Sequence, residues 1–324
     1  MIAEADGFPP QARTMLSDVG EVVVADLDRQ RLLVCIERAE VLWTRLRNRI
    51  DAEVLTAARR LQVIATPTTG LNHIALEEAH ARGIHIVSLR DHTDFLREVR
   101  ATAELTLALM LVLLRHIPAA VAHVRDGGWN RDLFKGNELY QKTVGIVGYG
   151  RLGQIVGRYL RALDTRVLIA DPYIDPTVLQ GGDERVSLDH LLRTADIVTL
   201  HVNLSDRTHG FFGKREFAQM KQGAYLINTA RGELIDEAAL VAALGTGRLR
   251  AAAVDVVCRE RAEGMESHPL VRYAQTHKNL LITPHLGGCT VESLEKSEIF
   301  LARQVCQLLY GNSISLGVQD RELP

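Results

Sequence analysis

The sequence predicts an α/β protein whose larger part is a doubly wound parallel sheet. Three observations lead to this fold class. Short β-branched runs alternate with helical stretches along most of the chain, which is typical of parallel sheets covered by helices on both faces. One strand runs into a glycine-rich turn followed by a helix, as in nucleotide-binding sheets. The length of 324 residues exceeds what one hydrophobic core usually accommodates, so we expect two domains.

The composition is typical of a globular protein that binds small molecules. Apolar residues make up 47% of the chain and charged residues 24%. A formal charge of −2 gives no basic surface for nucleic acid or an anionic membrane. The four cysteines form no CxxC pair, which argues against a zinc motif or a disulfide framework and favours a reducing cytoplasm. We expect no metal, no secretory signal and no membrane-spanning segment.

The first hundred residues alternate strands with helices. We predict strands at Glu21–Ala25, Leu61–Ala65 and Ile84–Ser88, and helices at Asp51–Arg60 and Ile74–Arg82. This alternation indicates a first parallel sheet.

An unusually apolar segment follows at Thr102–Ile117. It is apolar nearly all round, which predicts a helix buried between layers, domains or subunits. Thr102 and Glu104 are placed as in a capped N-terminus, and Pro118 is expected to end the helix.

A second alternation of strands and helices begins after the polar stretch 127–141. Its strands are predicted at Thr143–Val147, Arg166–Ala170, Ile197–His201, Ala224–Asn228, Ala251–Val256 and Asn279–Thr283. Six strands with helical crossovers are the number found in a doubly wound nucleotide-binding fold. A long final helix is predicted over residues 291–310.

The glycine-rich turn after the strand Thr143–Val147 predicts a dinucleotide site. Gly148 permits the tight turn, Gly150 lets the backbone approach a pyrophosphate, and Gly153 lets the helix pack on the strand. The helix N-terminus then offers unpaired N–H groups to the phosphates. The next strand ends at Asp171, 23 residues after Gly148, where a carboxylate accepts from the adenosine ribose and repels a 2′-phosphate. NAD is therefore the predicted cofactor rather than NADP.

Polar residues cluster at the carboxyl ends of the last three predicted strands, the edge where ligands bind in such sheets. Arg231 follows the first of these strands, Asp255 lies at the end of the second with Glu260 five residues on, and His285 follows the third. Oxidation of a 2-hydroxy acid needs a base for the hydroxyl proton and a cation for the carboxylate and the carbonyl oxygen. Histidine, arginine and a carboxylate supply these groups, although each side chain could also serve only as a surface or core residue.

At this point the sequence resembles the D-isomer-specific 2-hydroxyacid dehydrogenases, and among them the phosphoglycerate dehydrogenases most closely. The resemblance covers nearly the whole chain and includes several motifs in order. They are Arg45 in WTRLRN, Ala103–Thr106, Trp129-x-Arg131, Gly136-x-Glu138-Leu139, the glycine turn, Asn228–Asp236, Ala253–Val256 and Pro284–Thr290.

The resemblance implies a role for each matched residue. Arg231 would grip the substrate carboxylate and the C2 oxygen, His285 would be the acid/base, and Glu260 would hydrogen-bond its imidazole. Asp255 would orient the nicotinamide carboxamide, and the backbone around Gly70 and Leu71 would bind the substrate carboxylate. The cofactor site would also include Arg151, Leu152, Thr208, Thr229 and Gly288.

The resemblance also implies a domain arrangement. A Rossmann NAD-binding domain over residues 100–290 would be inserted in a smaller, flavodoxin-like α/β substrate domain made of residues 1–99 and 291–324. The family further implies a homodimer.

The sequence departs from the family pattern mainly on the substrate side. Thr66 and Ala75 replace the usual arginine and aspartate, and Asn203 replaces a proline on the cofactor side. Arg45 could still hold a phosphate or a second carboxylate, with Arg47, Arg97 or Arg100 helping. Arg261 stands where a proline usually follows Glu260, so a shift of the motif onto Glu263 stays open.

The predicted reaction is reversible hydride transfer between NAD and C2 of a small D-2-hydroxy acid, with 3-phosphoglycerate as one candidate. A reductase for glyoxylate, hydroxypyruvate or another unphosphorylated 2-oxo acid is an alternative. A non-enzymatic NAD(H) sensor, similar to the corepressors that share this fold, is another, because fold alone does not settle function.

Overall fold

The computed structural model describes residues 1–260 and 264–311 and divides into two compact units. One unit comprises residues 1–99 and the described residues from Thr290 onward, and the other comprises Arg100–Cys289. The strands, in chain order, are β1 Val41–Trp43, β2 Val63–Thr66, β3 His85–Ser88, β4 Thr143–Val147, β5 Arg166–Ala170, β6 Asp183–Arg185, β7 Ile197–Leu200, β8 Ala224–Asn228, β9 Leu249–Val254 and β10 Leu280–Ile282. The α-helices are α1 Pro10–Ser17, α2 Arg29–Cys35, α3 Ala52–Ala57, α4 Leu76–Ala81, α5 Thr93–Leu96, α6 Ala101–Leu114, α7 Ile117–Arg125, α8 Arg151–Ala162, α9 Leu188–Thr194, α10 Lys214–Gln219, α11 Glu237–Gly245, α12 Pro269–Thr276 and α13 Val291–Gly311.

The larger unit contains a parallel sheet of seven strands among its described residues, in the order β10-β9-β8-β7-β4-β5-β6. The strand order reverses between β4 and β7, which places a ligand crevice at the carboxyl ends of these strands. Two apolar clusters cover the two faces of the sheet, and α6 and α8 pack against each other within one of them. The predicted doubly wound α/β class is thereby confirmed.

The smaller unit contains a parallel sheet in the order β1-β2-β3 among the residues that are described there. Ile2 adds single parallel bridges to Trp43 and to Val24, so the extended segments follow the flavodoxin-like order 2-1-3-4-5. Helix α13 packs on α1, and the buried Leu301, Ala302 and Val305 join the core of this unit.

The structure corrects one strand prediction in the smaller unit and shows one strand that was not predicted. Glu21–Ala25 is not a regular strand, because it pairs with Ile2 through one bridge at Val24. It lies at the sheet edge, where Val23 and Val24 are exposed. Conversely, β1 was not predicted from the sequence, since only three residues separate the polar stretches on either side of it.

The predicted helix Thr102–Ile117 is also corrected. Helix α6 begins at Ala101 after Arg100, without a side-chain cap, so Thr102 lies inside it. It ends at Leu114, because His116 adopts a left-handed backbone conformation with φ 53°. Pro118 therefore lies in the first turn of α7, where proline is tolerated, and does not end α6.

Five of the six strands predicted in the larger unit agree with the structure to within one residue, whereas Ala251–Val256 is shifted by two residues from β9. The short edge strand β6 was missed, because its sequence Asp-Glu-Arg has no apolar pattern. No single helix among the described residues is long and apolar enough to cross a membrane, although the bent pair Thr93–Leu114 and Ile117–Arg125 has that length and composition.

Candidate active site

The glycine turn after β4 has the geometry that its sequence predicts. Gly148 has φ 88°, and a Cβ on it would lie 2.8 Å from the backbone carbon of His201. A Cβ on Gly153 would lie 2.3 Å from the carbonyl oxygen of Gly148. A side chain is therefore excluded at both positions, because its Cβ would collide with backbone atoms.

Gly150 is different, because a Cβ there would meet no atom within 4 Å. It is the N-cap of α8, and Arg151 and Leu152 form the first turn of that helix. The N–H groups at the start of such a helix attract an anion, and the open space at Gly150 admits one close to the backbone. The turn therefore fits a pyrophosphate. Burial lowers the pKa of Arg151.

Asp171 lies directly after β5 and is held beside the same turn. Its Oδ2 accepts a hydrogen bond from the Tyr149 N–H at 2.8 Å, and its Oδ1 accepts one from the Tyr173 N–H at 2.9 Å. A carboxylate has about four acceptor sites, so each oxygen can still accept from a ribose hydroxyl. This geometry fits the predicted contact with the adenosine ribose.

A buried hydrogen-bond network beside the turn was not predicted from the sequence. The Tyr149 hydroxyl donates to Asp183 at 2.7 Å, and Arg161 donates to Asp183 at 2.5 Å. Burial raises the pKa of Tyr149 to about 12, so the phenol keeps its proton. The three residues are far apart in sequence and follow no motif, so only the fold shows that they anchor the turn to the edge strand β6.

His285 and Glu260 form the central pair of the candidate site. The imidazole Nδ1 lies 2.6 Å from Glu260 Oε1, and each side chain is about a quarter exposed. A carboxylate accepts, so Nδ1 carries a proton, and the neutral form of the ring has its lone pair on Nε2. Glu260 is therefore the residue that meets His285. The alternative, Glu263, lies outside the described residues.

Both members of this pair depend on left-handed backbone. His285 has φ 55°, and Arg259, directly before Glu260, has φ 55° as well. Such a conformation costs a non-glycine residue roughly 1–2 kcal/mol, so the surrounding hydrogen bonds must maintain it. Neither conformation is indicated by the sequence.

Asp255 holds the loop that carries His285. Its Oδ1 accepts from the Thr283 hydroxyl and the Leu286 N–H, and its Oδ2 accepts from the Gly287 N–H, at 2.5, 2.8 and 2.8 Å. The residue is 1% exposed, and its backbone carbonyl also accepts from the His285 N–H. Three protein donors thus occupy most of the acceptor sites that the resemblance assigned to the nicotinamide carboxamide.

Arg231 follows β8, which is adjacent to β9 in the sheet. The Asn228 side chain shapes its loop by accepting from the Ala230 N–H and donating to the Arg231 carbonyl. The guanidinium Nη1 donates to the Ala230 carbonyl at 2.6 Å. Because β8, β9 and β10 are neighbours, the segments that carry Arg231, Glu260 and His285 leave the same edge of the sheet.

The remaining predicted cofactor residues lie in loops of the same unit. The Thr229 hydroxyl lies 2.8 Å from that of Thr106, and Thr208 donates to the Asn203 carbonyl at 2.7 Å. A Cβ on Gly288 would meet no atom within 4 Å. His201 directly follows β7 and lies beside Gly148, and burial lowers the pKa of its imidazole to about 4, so the ring is neutral at pH 7.

In the smaller unit, Arg45 is already paired. Its Nε lies 2.6 Å from the buried Glu298, and its Nη1 donates to the Asp6 carbonyl at 2.6 Å. Its Nη2 is buried and has no hydrogen-bond partner among the described residues. The pKa of Glu298 is raised by burial, and this carboxylate also accepts from the Trp43 indole. No pattern in the sequence indicates Glu298 as the partner of Arg45.

The other predicted substrate residues follow β2 at the same edge of this smaller sheet. Leu71 is buried, and the Gly70 carbonyl accepts from Thr68. Thr66 is buried and lies within hydrogen-bonding distance of Thr68 and His73.

The three arginines proposed as helpers of Arg45 have other surroundings. Arg47 pairs with Asp26, Arg97 lies 3.7 Å from Asp94, and Arg100 is the N-cap residue of α6. Within the described residues, no group of three or more His, Cys, Asp or Glu side chains could hold a metal ion.

The comparison with protein families gives one match. The model described as "D-isomer specific 2-hydroxyacid dehydrogenase, NAD binding domain" matches residues 107–287. This match contains the glycine turn, Asp171, Arg231, Glu260 and His285. It confirms the prediction of an NAD-binding domain.

Curated relatives are similar over nearly the whole chain. D-3-phosphoglycerate dehydrogenase of Mycobacterium tuberculosis (strain ATCC 25618 / H37Rv) is 37% identical over 312 residues, which are 96% of this chain and 57% of that protein. The enzyme of the same name from Methanocaldococcus jannaschii is 38% identical over 313 residues, with the same coverage. The chain thus spans just over half the length of these relatives.

Solved structures share the fold. The TT0316 protein from Thermus thermophilus matches with a TM-score of 0.80 and 35% identity, over 94% of this chain and 95% of that one. D-lactate dehydrogenase from Aquifex aeolicus, solved with NAD and lactic acid, matches with a TM-score of 0.83 and 25% identity, over 98% and 96%.

Proposed function

The chain belongs to the D-isomer specific 2-hydroxyacid dehydrogenase family, and we propose that it catalyses reversible hydride transfer between NAD and C2 of a small D-2-hydroxy acid. The observation that carries this proposal is the 2.6 Å contact between His285 and Glu260 at the carboxyl edge of the NAD-binding sheet. An imidazole with one nitrogen held by a carboxylate and a lone pair on the other is a general acid/base.

In the oxidative direction, His285 accepts the substrate hydroxyl proton at Nε2, because Nδ1 already carries the proton that faces Glu260. Glu260 then stabilises the imidazolium and keeps the ring in its orientation. Arg231 binds the substrate carboxylate and the C2 oxygen through its paired N–H groups. NAD, held by the residues of the larger unit, would supply the acceptor for the hydride from C2.

The cofactor would be held by the residues of the larger unit. The turn at Gly150 and the start of α8 bind the pyrophosphate, and Asp171 accepts from the adenosine ribose. Asp255 contributes mainly through the loop that carries His285, since its carboxylate receives three hydrogen bonds from that loop.

The substrate is a small 2-hydroxy or 2-oxo acid, and 3-phosphoglycerate is one candidate because curated relatives are named D-3-phosphoglycerate dehydrogenase. An unphosphorylated acid such as hydroxypyruvate or glyoxylate is favoured by the surroundings of Thr66 and Arg45. Thr66 is buried and uncharged at the position where the resemblance to phosphoglycerate dehydrogenases predicts an arginine. Arg45, the other candidate for a phosphate, already pairs with Glu298.

We also propose a homodimer, through a surface that we call the α7 face. It consists of Ile117, Val121 and Val124 on one side of α7, together with Trp129. Helix α7 has no buried residue, and Trp129 is 90% exposed. Exposed apolar side chains in such a group often mark a protein contact, and a second copy of this chain is the partner that the family favours.

A cytoplasmic location is proposed from the cysteines. All four are free thiols, and Cys35 and Cys289 are exposed. Exposed free thiols persist in a reducing compartment.

The test of the proposed function is the initial rate of NADH oxidation over a panel of 2-oxo acids. The panel contains phosphohydroxypyruvate, hydroxypyruvate, glyoxylate and 2-oxoglutarate. We expect clear turnover with at least one acid, and the preferred acid distinguishes the phosphorylated from the unphosphorylated class. Tight NADH binding without turnover of any acid would contradict the proposal and favour an NAD(H) sensor.

A further inference from the structure

Cys258 lies in the loop that joins β9 to Glu260, and both of its backbone groups are held by side chains. Its N–H donates to Glu237 Oε1 at 2.7 Å. Its carbonyl oxygen lies 3.0 Å from His268 Nε2. Glu237 is the first residue of α11, and His268 caps the N-terminus of α12. Two helices therefore fix one residue of the loop, two positions before Glu260.

The two side chains also hold each other. His268 Nδ1 accepts from the Leu270 N–H at 3.3 Å, so the ring proton lies on Nε2 and points at the Cys258 carbonyl. The same Nε2 lies 3.4 Å from Glu237 Oε2. The exposed fractions are only 11% for His268 and 15% for Glu237. We call this pair the Cys258 clamp.

The other side of the Cys258 backbone packs against the loop that carries Arg231. A Cβ on Gly232 would lie 2.1 Å from the Val257 carbonyl carbon and 2.4 Å from the Cys258 nitrogen. The residue directly after Arg231 therefore lies in contact with the backbone that the clamp holds. The loop that carries Arg231 therefore packs, at Cys258, against the segment that leads to Glu260.

Arg259 connects Cys258 to Glu260 in a left-handed conformation, with φ 55°. This conformation is unfavourable for a side chain other than glycine, so it persists only if both ends of the turn are held. Glu260 is held at one end by His285 at 2.6 Å, and Cys258 is held at the other by the clamp. Without the clamp, Arg259 can relax to an ordinary conformation and carry Glu260 away from His285.

We propose that Glu237 and His268 are positioning residues that hold Glu260 against His285. This inference rests on the proposed function, in which His285 and Glu260 form the catalytic pair. Its ordinary alternative is that the two side chains only stabilise the N-termini of α11 and α12. The two possibilities differ in whether the acid/base chemistry of His285 changes when the clamp is removed.

The test compares the pH dependence of kcat/KM for reduction of the preferred 2-oxo acid in Glu237→Ala, Glu260→Gln and the double variant. Reduction needs the protonated imidazole, and the carboxylate partner stabilises that charged form. Loss of the carboxylate therefore moves the alkaline limb, where kcat/KM falls as pH rises, to lower pH. We expect Glu237→Ala to move this limb in the same direction as Glu260→Gln and to lower kcat by up to about 100-fold. The double variant should match Glu260→Gln within about twofold, because both changes remove the same interaction.

His268→Asn is the second test variant. Asparagine keeps a side-chain oxygen for the N-terminus of α12 but lacks the ring N–H that meets Cys258. It should therefore reproduce the displaced pH profile. Asp236→Ala is the matched control, because it removes the cap of α11, where Asp236 accepts from the Ala239 N–H at 3.0 Å, without contacting Cys258. Asp236→Ala should lower Tm and leave the pH profile and the NADH Kd unchanged.

The clamp is disproved if Glu237→Ala and His268→Asn lower Tm like Asp236→Ala but keep the wild-type pH profile. The clamp is also disproved if the decrease in kcat of the double variant equals the product of the decreases in Glu237→Ala and Glu260→Gln. A further readout is independent of turnover, namely the far-downfield proton resonance of the short bond between His285 and Glu260. This resonance should disappear in Glu237→Ala and persist in Asp236→Ala. If the wild-type protein turns over no 2-oxo acid, the proposed function fails, and the resonance still decides the role of the clamp.

Discussion

At the scale of single residues, the environment of His285 is set by two carboxylates with different tasks. Asp255 is buried and fixes the loop, whereas Glu260 is about a quarter exposed and meets the ring. The sequence predicts both near His285, because Asp255 lies at the carboxyl end of a predicted strand and Glu260 lies just beyond it. It could not distinguish their tasks, since the three donors to Asp255 come from a loop about thirty residues further on.

The register of Glu260 could not be determined from the sequence either. The left-handed turn at Arg259 determines which carboxylate reaches His285, and nothing in a run of charged residues predicts that turn. Arg45 shows the same limit. Its partner Glu298 is 253 positions away, and it is positioned by α13.

Asp171 is the residue that we propose determines the choice between NAD and NADP. We expect Asp171→Ser to weaken NADH binding and to raise the ratio of NADPH to NADH efficiency by at least tenfold, because a carboxylate repels the 2′-phosphate and a hydroxyl does not. The measurement is kcat/KM with each cofactor at one 2-oxo acid concentration. An unchanged ratio would mean that Asp171 does not meet the adenosine ribose.

His201 predicts a specific pH dependence of stability. Its pKa in the folded protein is about 4, below the usual value of 6.5, so the unfolded chain binds more protons between these two pH values. The native state therefore loses stability as pH falls from 6.5 to 4, by about 3 kcal/mol in total. Urea unfolding of the wild type and His201→Gln across this range measures the effect. Parallel stability curves for the two proteins would contradict it.

At the scale of elements, the buried strands of the larger unit were predicted well. Strands such as β7 and β8 are covered on both faces, so they are continuous apolar runs. The edge elements were not predicted, because β6 is polar and Glu21–Ala25 reads as a strand although it pairs at one point. The break between α6 and α7 depends on the left-handed His116, which no local pattern marks.

The turn between β4 and α8 allows two glycine substitutions to be compared. Gly153→Ala places a methyl group 2.3 Å from the Gly148 carbonyl oxygen, so the helix must shift, and we expect a loss of about 1–3 kcal/mol of unfolding free energy. Gly150→Ala meets no protein atom and should leave stability unchanged, yet weaken NADH binding because the methyl group occupies the space for the pyrophosphate. Chemical denaturation and NADH titration measure both effects. Equal changes in unfolding free energy and in NADH affinity for the two variants would contradict this description of the turn.

At the scale of the whole molecule, the residues proposed for the site are divided between two compact units. The larger unit holds the glycine turn, Asp171, Arg231, Glu260 and His285, whereas the smaller unit carries Arg45 and the loop at Gly70. The sequence predicted the fold class from its alternation of strands and helices. It could not show that Arg45 is already paired with Glu298, because the two residues are brought together only by the fold.

The α7 face gives a prediction about assembly. Trp129→Asp places a charge at a position that is 90% exposed in the single chain, so we expect the fold to remain and the dimer to dissociate. Light scattering after size-exclusion chromatography gives the mass, and circular dichroism checks the fold. Val34→Asp is the control, because Val34 is 78% exposed outside this face and should leave the mass unchanged. A dimeric Trp129→Asp variant would exclude Trp129 from the interface.

The most direct test of the central claim is the turnover of His285→Ala beside its affinity for NADH. The proposal assigns proton transfer to His285 and NADH binding to the glycine turn and Asp171. We expect kcat to fall by at least about 100-fold, while the NADH Kd, measured by fluorescence titration, stays within about twofold of the wild type. Turnover within about tenfold of the wild type would remove His285 from the chemistry. Loss of NADH binding together with turnover would show that the two tasks are not divided in this way.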